Sequence, residues 1–194
     1  GLQAIATAKR LGAVVEVSDI RPETKEQVAS LSAKFIEIPA DETTKVAGGY
    51  VTEVSQAFLE KQQALITKHI KEADVVITTA LIPGKKAPIL VTEDMLAGMK
   101  FGSVVLDMAV EQGGNVVGSE CNKTINKNGI TIIGESNLPS LLPMNASELY
   151  AKNIQTFIEH LATHEAMHWD MEEEITKGSL IIHEGTKIHS SILK

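Results

Sequence analysis

The 194-residue sequence predicts an α/β protein with a doubly wound parallel sheet, and three observations carry that expectation. Strand-like apolar runs alternate with amphipathic helix-like runs through most of the chain. The strand-like runs are rich in Val and Ile at successive positions, as in strands covered by helices on both faces. Aromatic residues make up only 4% of the chain, which leaves a core of Ile, Val, Leu and Ala.

Each element has its own reason. Residues 2–11 read as a helix of small residues, ended at Gly12, and 13–18 as a buried strand. Pro22 suits a helix start, so a helix follows to about Leu31, with a short strand at 34–38. The polar stretch 39–49 ends in Gly48-Gly49 and reads as a long loop. Residues 50–73 read as one long helix, with Val51, Val54, Phe58, Leu65 and Ile66 near one face. Asp-Val-Val-Ile-Thr-Thr at 74–79 is a buried strand, closed by Ala80-Leu-Ile-Pro-Gly84.

Thr92 suits the N-cap of a short helix, and 103–108 is another apolar strand. Gly113-Gly114 turns the chain, and Gly129 precedes a strand at 130–133. A helix runs from Asn145 to about Thr163, and 179–183 is a last strand. Right-handed crossovers between the parallel strands give the doubly wound order. The rhythm breaks after 133, so 1–144 is expected to be one domain. Residues 145–194 are then a connector helix and a segment returning to a companion domain upstream of Gly1.

Composition narrows the function. A net charge of −7 and no basic run longer than Lys85-Lys86 argue against nucleic acid. Cys121 is the only cysteine, which excludes an intrachain disulfide and fits a reducing compartment. No stretch approaches 18 apolar residues, so no membrane-spanning helix is expected. The chain lacks an initiator Met and a signal peptide, and it reads as a fragment.

The run Gly1-Leu-Gln-Ala-Ile-Ala-Thr-Ala-Lys-Arg-Leu-Gly12, followed by Ala13-Val-Val-Glu-Val-Ser-Asp19-Ile-Arg21, reads as the second half of a Rossmann-type dinucleotide unit. Gly1 takes the place of the third glycine of G-x-G-x-x-G. The first strand is expected to be missing from the fragment. In the order 3-2-1-4-5-6 that strand is central, so 13–18 and 74–79 should flank a gap.

Asp19, at a strand's carboxyl end, can accept bonds from both ribose hydroxyls and repel a 2′-phosphate, which selects NAD(H). Arg21 can cover the adenine or accommodate that phosphate. Asp19 can equally cap the helix near Pro22, and the roles are compatible. Ala80 to Gly84 either line the cofactor crevice or form an ordinary strand-to-helix turn. Asp107 is expected to hold its loop by bonding backbone amides, while Glu111 can face the crevice as an acid or base. In Gly134-Glu-Ser-Asn137-Leu-Pro139, Asn137 can bond a carboxamide near the nicotinamide or close the turn.

His164-Glu165-Ala-Met-His168 is a formal H-E-x-x-H. It sits beside the charged run 170–174, with Asp170 where a zinc helix stays apolar. His160 extends the ladder, but only a loosely placed Glu184 offers a third ligand. A polar helix face is the expected reading, and no metal is assigned. Cys121 has only Lys123 nearby to activate it and reads as a buried or passive thiol. No catalytic residue is assigned.

With these residues together, the chain resembles the NAD(H)-binding domain of the proton-translocating NAD(P) transhydrogenase alpha subunit, in the alanine dehydrogenase/transhydrogenase superfamily. The resemblance spans nearly the whole chain. Its carriers include the opening run, Asp19-Ile-Arg-Pro, Lys25-Glu-Gln-Val-Ala-Ser-Leu, Gly48-Gly-Tyr50, Thr79-Ala-Leu-Ile-Pro-Gly-Lys-Lys-Ala-Pro88 and Gly102-Ser-Val-Val-Leu-Asp. It implies binding of NADH and hydride transfer to NADP on a partner domain or beta subunit. A membrane domain would couple the transfer to proton movement.

It also implies that Asp19, Ile20 and Arg21 hold the adenosine end. Gly49 and Leu81 would line the site, Gln62 would lie on the following helix, and Tyr50 would sit on a mobile loop that closes over nucleotide. The family's loop near the nicotinamide lies upstream of this chain. The resemblance further implies a homodimer at the cytoplasmic face of a bacterial inner membrane, or on the matrix side in a mitochondrion. Alanine dehydrogenase is the runner-up; its catalytic aspartate would fall at Glu111, and its family lacks the Gly-Gly-Tyr loop. A third reading is a non-catalytic NAD(H)-responsive module.

Overall fold

The structure is a computed structural model that describes residues 1–21, 23–37, 45–47, 50–53, 56–82, 84–162 and 166–188; at 45–47, 50–53 and 56–59 it describes the backbone alone. The chain divides into two compact units, Gly1–Ser136 and Asn137–Lys194.

The first unit opens with α1 (Leu2–Arg10), which ends where Gly12 turns at φ +85° and Ala13 N–H returns to the Ala8 carbonyl. β1 (Glu16–Val17), α2 (Thr24–Ser30) and β2 (Lys34–Phe35) follow, and β1 pairs parallel with β2. Next come β3 (Lys45–Ala47) and β4 (Tyr50–Glu53), an antiparallel hairpin, and α3 (Gln56–Glu72). The expected long loop and the start of the expected helix are therefore corrected. Tyr-Val-Thr is a β-branched and aromatic run that suits a strand once Lys-Val-Ala pairs with it.

β5 (Val75–Thr78), α4 (Glu93–Ala97), β6 (Val104–Asp107), a short 3₁₀ turn (Val110–Gln112), β7 (Lys123–Lys127) and β8 (Ile130–Gly134) complete the unit. They form a four-stranded sheet in the order β5-β6-β8-β7. The pairs β5–β6 and β6–β8 are parallel, while β7 is an antiparallel edge that periodicity does not predict. Its turn is Asn128-Gly129, both at positive φ, a pairing that suits tight hairpins. Thr92 caps α4 as expected, its Oγ1 accepting the Met95 N–H at 3.4 Å.

The core lies on one face of this sheet. Ile70 of α3, Met95 and Leu96 of α4, Met99, Val91 and Val116 pack against Val105, Ile130 and Ile132. The opposite face is less covered: Val75 and Ile77 of β5 are 59% and 42% exposed. The parallel strands thus form two sheets, β1–β2 and β5–β6–β8 with its β7 edge. Along the expected order they part between β1 and β5, where the central strand was expected.

The second unit holds α5 (Leu138–Leu141), α6 (Pro143–Leu161), α7 (Glu174–Ser179) and the hairpin of β9 (Ile182–His183) and β10 (Thr186–Lys187). The helix expected from Asn145 is α6. The strand expected over 179–183 begins only at Ile182. Residues 174–179 are helical instead, because the Glu173 carboxylate accepts the Ile175 and Thr176 N–H groups, both at 2.8 Å. Those two amides, joined by His160 on the same carboxylate, hold Glu173 down to about 2.

Candidate nucleotide-binding site

In open α/β sheets, ligands settle outside the carboxyl ends of the strands. In the first unit those ends are marked by Asp19 and Ile20 after β1 and by Thr79, Ala80 and Leu81 after β5. The start of α1 lies beside the second group: a Cβ placed on Gly1 would stand 3.6 Å from Thr79 Oγ1, an ordinary contact.

The Asp19 carboxylate is gripped by Arg21. Arg21 Nε donates to Oδ1 at 3.1 Å, Nη2 to Oδ2 at 2.9 Å, and the Arg21 backbone N–H to Oδ1 at 2.9 Å. Burial pushes this carboxyl up, but the bonds from Arg21 together outweigh it and hold it below its ordinary value. The carboxylate is therefore an acceptor at neutral pH, and Oδ2 keeps acceptor capacity beyond its one Arg21 bond. Asp19 does not cap α2: its backbone bond goes to Arg21, and the helix starts at Thr24, whose hydroxyl donates to the Arg21 carbonyl at 2.5 Å. The neighbouring Ile20 is 61% exposed and Leu81 50%, apolar side chains standing in water at strand ends.

Behind the β5 end lies a buried polar cluster. Asp107, the last residue of β6, is fully buried. Its carboxylate accepts the N–H groups of Ala109 (3.0 Å), Asn115 (3.1 and 3.0 Å) and Val116 (3.2 Å). It holds its loop as the sequence reading expected. Gly114 is required there, since at φ +78° a Cβ would stand 2.6 Å from Asp107 Oδ2.

Asn115, also fully buried, extends the cluster to the β5 loop. Its Oδ1 accepts the Ala80 N–H at 3.0 Å, and its Nδ2 donates to the carbonyls of Ala80 (3.0 Å) and Pro88 (2.8 Å). Sequence reasoning missed Asn115. The only signal was a polar residue between a Gly-Gly turn and the apolar Val116-Val117.

The other expected residues scatter. Gln62 is half-buried on α3. Tyr50 opens β4 opposite Ala47, and Gly49 lies outside the described residues. Asn137 belongs to the second unit, where its carbonyl accepts the Ser140 N–H and hydroxyl, closing the turn into α5. Glu111 is exposed on the 3₁₀ turn. Cys121 is exposed rather than buried, and Lys123 is paired with Glu120. His164 and Glu165 lie outside the described residues, while His168 is not helical, because Met167 bridges back to Ala162. The polar helix face expected there is thus corrected at His168. Among the described residues no three His, Cys, Asp or Glu cluster as a metal site.

The profile described as "Alanine dehydrogenase/PNT, C-terminal domain" matches residues 1–190. The chain belongs to this family. It is 45% identical over 196 residues to an NAD(P) transhydrogenase subunit alpha polypeptide of Rhodospirillum rubrum, covering 99% of this chain and 51% of that protein. It is 33% identical to an alanine dehydrogenase of Staphylococcus epidermidis, over 76% of this chain and 36% of that protein. Among solved structures, the transhydrogenase from Sinorhizobium meliloti matches at a TM-score of 0.71 and 47% identity, covering 97% of this chain and 49% of that one. Family membership and this likeness agree with the Rossmann-type α/β reading. The chain spans about half the length of the transhydrogenase relatives it matches.

Proposed function

We propose that this chain is the NAD(H)-binding part of a proton-translocating transhydrogenase, passing hydride between NADH and NADP held on a partner domain. The observation that carries the reading is the carboxylate of Asp19 at the β1 end, kept ionised by Arg21 and flanked by exposed Ile20. The 45% identity to a transhydrogenase subunit supports the family role, and the weaker, shorter match to alanine dehydrogenase ranks that activity second.

The residues fit a dinucleotide. Asp19 Oδ2 takes a ribose hydroxyl and repels a 2′-phosphate, Ile20 and Leu81 supply apolar contacts, and Arg21 lies over the adenine. Nicotinamide, once bound, supplies the hydride. Tyr50 and its hairpin close over the nucleotide, and Gly1 and Gln62 complete its surroundings. The separation of β1–β2 from β5–β6–β8 supports a sheet completed between β1 and β5 by a parallel strand from outside residues 1–194. No helix among the described residues is long and apolar enough to cross a membrane, and we assign the membrane part of the complex to other chain or subunits. We place the assembly as a homodimer at the cytoplasmic face of the inner membrane.

Titration of the intact protein with NADH and NADPH tests the cofactor, and tighter NADPH binding would overturn the assignment. Hydride transfer from NADH to an NADP analogue, only when an NADP-binding partner is added, tests the role. Turnover of pyruvate and ammonia with NADH alone would make the protein an amino-acid dehydrogenase.

A further inference from the structure

We propose that Asn115 is a positioning residue that aims two backbone groups of the β5 loop, the Leu81 N–H and the Thr79 carbonyl, at the pyrophosphate–nicotinamide half of the bound dinucleotide. The inference rests on the NAD(H) reading above and adds to it a role for Asn115 and for the backbone of Thr79 and Leu81.

Asn115 binds both polar atoms of Ala80, its N–H and its carbonyl, each at 3.0 Å. Both peptides flanking Ala80 are trans, since the described chain contains no cis bond. In a planar trans peptide the N–H and C=O point in opposite directions. The Ala80 N–H points at Asn115, so the Thr79 carbonyl of the same peptide points away from it. The Ala80 carbonyl likewise points at Asn115, so the Leu81 N–H points away. Neither group has a hydrogen-bond partner among the described residues. Thr79 and Leu81 are both exposed.

The carboxamide suits this task. Both Nδ2 protons and Oδ1 are engaged by Ala80 and Pro88, so the side chain has one orientation. Its own backbone is pinned, the N–H by the buried Asp107 carboxylate and the carbonyl by Leu90 and Val91 N–H at 2.8 and 3.0 Å. Among the described residues the loop is thus presented by a chain of buried bonds from β6.

Location sets which part of the ligand is served. Asp19 marks the adenosine end at β1, and the α1 start, where pyrophosphate lies in this fold class, is beside Thr79. A donor and an acceptor after β5 therefore face the portion of the ligand beyond the adenosine.

Asn115→Ser in the intact protein, titrated with NADH and with 5′-AMP, tests the proposal. NADH affinity should fall about tenfold, the worth of one well-placed hydrogen bond, while 5′-AMP affinity stays within twofold. A merely structural role would lower both ligands alike, and that result, or unchanged NADH affinity, would overturn the proposal. Wild-type protein that binds neither ligand would overturn the NAD(H) reading and this inference with it.

Should Asn115→Ser not fold, hydrogen exchange on the wild type decides. The Ala80 amide should be protected without ligand, and the Leu81 amide should exchange freely until NADH is added. A Leu81 amide that NADH leaves unchanged would overturn the assignment.

Discussion

In the four-stranded sheet Val105, Ile130 and Ile132 are at most 2% exposed, and the buried Asp107 and Asn115 lace the strand ends together. In the two-stranded sheet of the same unit β1 and β2 pair over only two residues each, and Val14 just before them is 92% exposed. Backbone bonds join β1 to β2, the Lys34 and Ile36 N–H groups donating to the Val15 and Val17 carbonyls at 2.9 and 2.8 Å, and Glu16 adds ionic ties. Glu16 accepts from Lys34 of β2 at 2.7 Å, and its other oxygen lies 2.6 Å from His69 Nδ1 of α3. The β5 side of the site thus stands on a packed core and buried bonds, and the Asp19 side on a short, solvated pair of strands. The two halves should respond differently to mutation, pH and salt.

The largest effect is expected at Asp107. Asp107→Ala leaves the N–H groups of Ala109, Asn115 and Val116 buried without a partner, at about 1–3 kcal/mol each. Against a typical stability of about 5–15 kcal/mol, that should lower the denaturant midpoint severely. Val17→Ala in β1, half-buried, should cost under about 1.5 kcal/mol. Equal losses in the two variants, measured by urea unfolding, would break the contrast.

Asp19→Ala should act on the ligand rather than the fold. NADH affinity should fall about tenfold, the preference over NADPH should narrow, and stability should change by less than about 0.5 kcal/mol. The sign of its pH dependence follows from a depressed carboxyl. Its contribution is complete above the ordinary carboxylate value and is lost as pH falls through the lower, folded-state value. NADH binding should therefore persist through about pH 4–5 as far as Asp19 governs it, and a loss in that range absent from Asp19→Ala would contradict this.

The smallest effect is expected at Glu16. Lys34 first, then His69, hold its carboxyl below the ordinary value against the opposing effect of burial. Glu16→Gln should cost only about 0–1 kcal/mol, because the group is partly solvated. The cost should shrink in about 1 M salt, where the screening length is about 3 Å. A larger, salt-independent loss would mean that Glu16 holds β1 by more than charge.

The sequence was informative where the cause is local. Val75–Thr78, Val104–Asp107 and Ile130–Gly134 are strands because short Val- and Ile-rich runs bounded by turns have few alternatives, and Thr92 is a cap by its position. Asp19 was legible as an acid just after a strand. The hairpin at 45–53 was not, because Tyr50–Glu53 continues into a helical pattern and only pairing with Lys45–Ala47 makes it a strand. Strand β7 was illegible for the same reason: Lys-Thr-Ile-Asn-Lys has one apolar residue and needs β8 beside it.

The site divides the same way. Residue type and order alone determined an α/β chain of this family, with an acceptor at the end of one strand and a turn at the end of another. Only the tertiary structure decided that Asn115 grips Ala80 across 35 positions and that Arg21 forks onto Asp19 in place of a helix cap. It also decided that the parallel strands separate into two sheets. Periodicity and capping are set by neighbours within a few residues, whereas a buried amide or carboxylate takes whichever partners the fold brings to it.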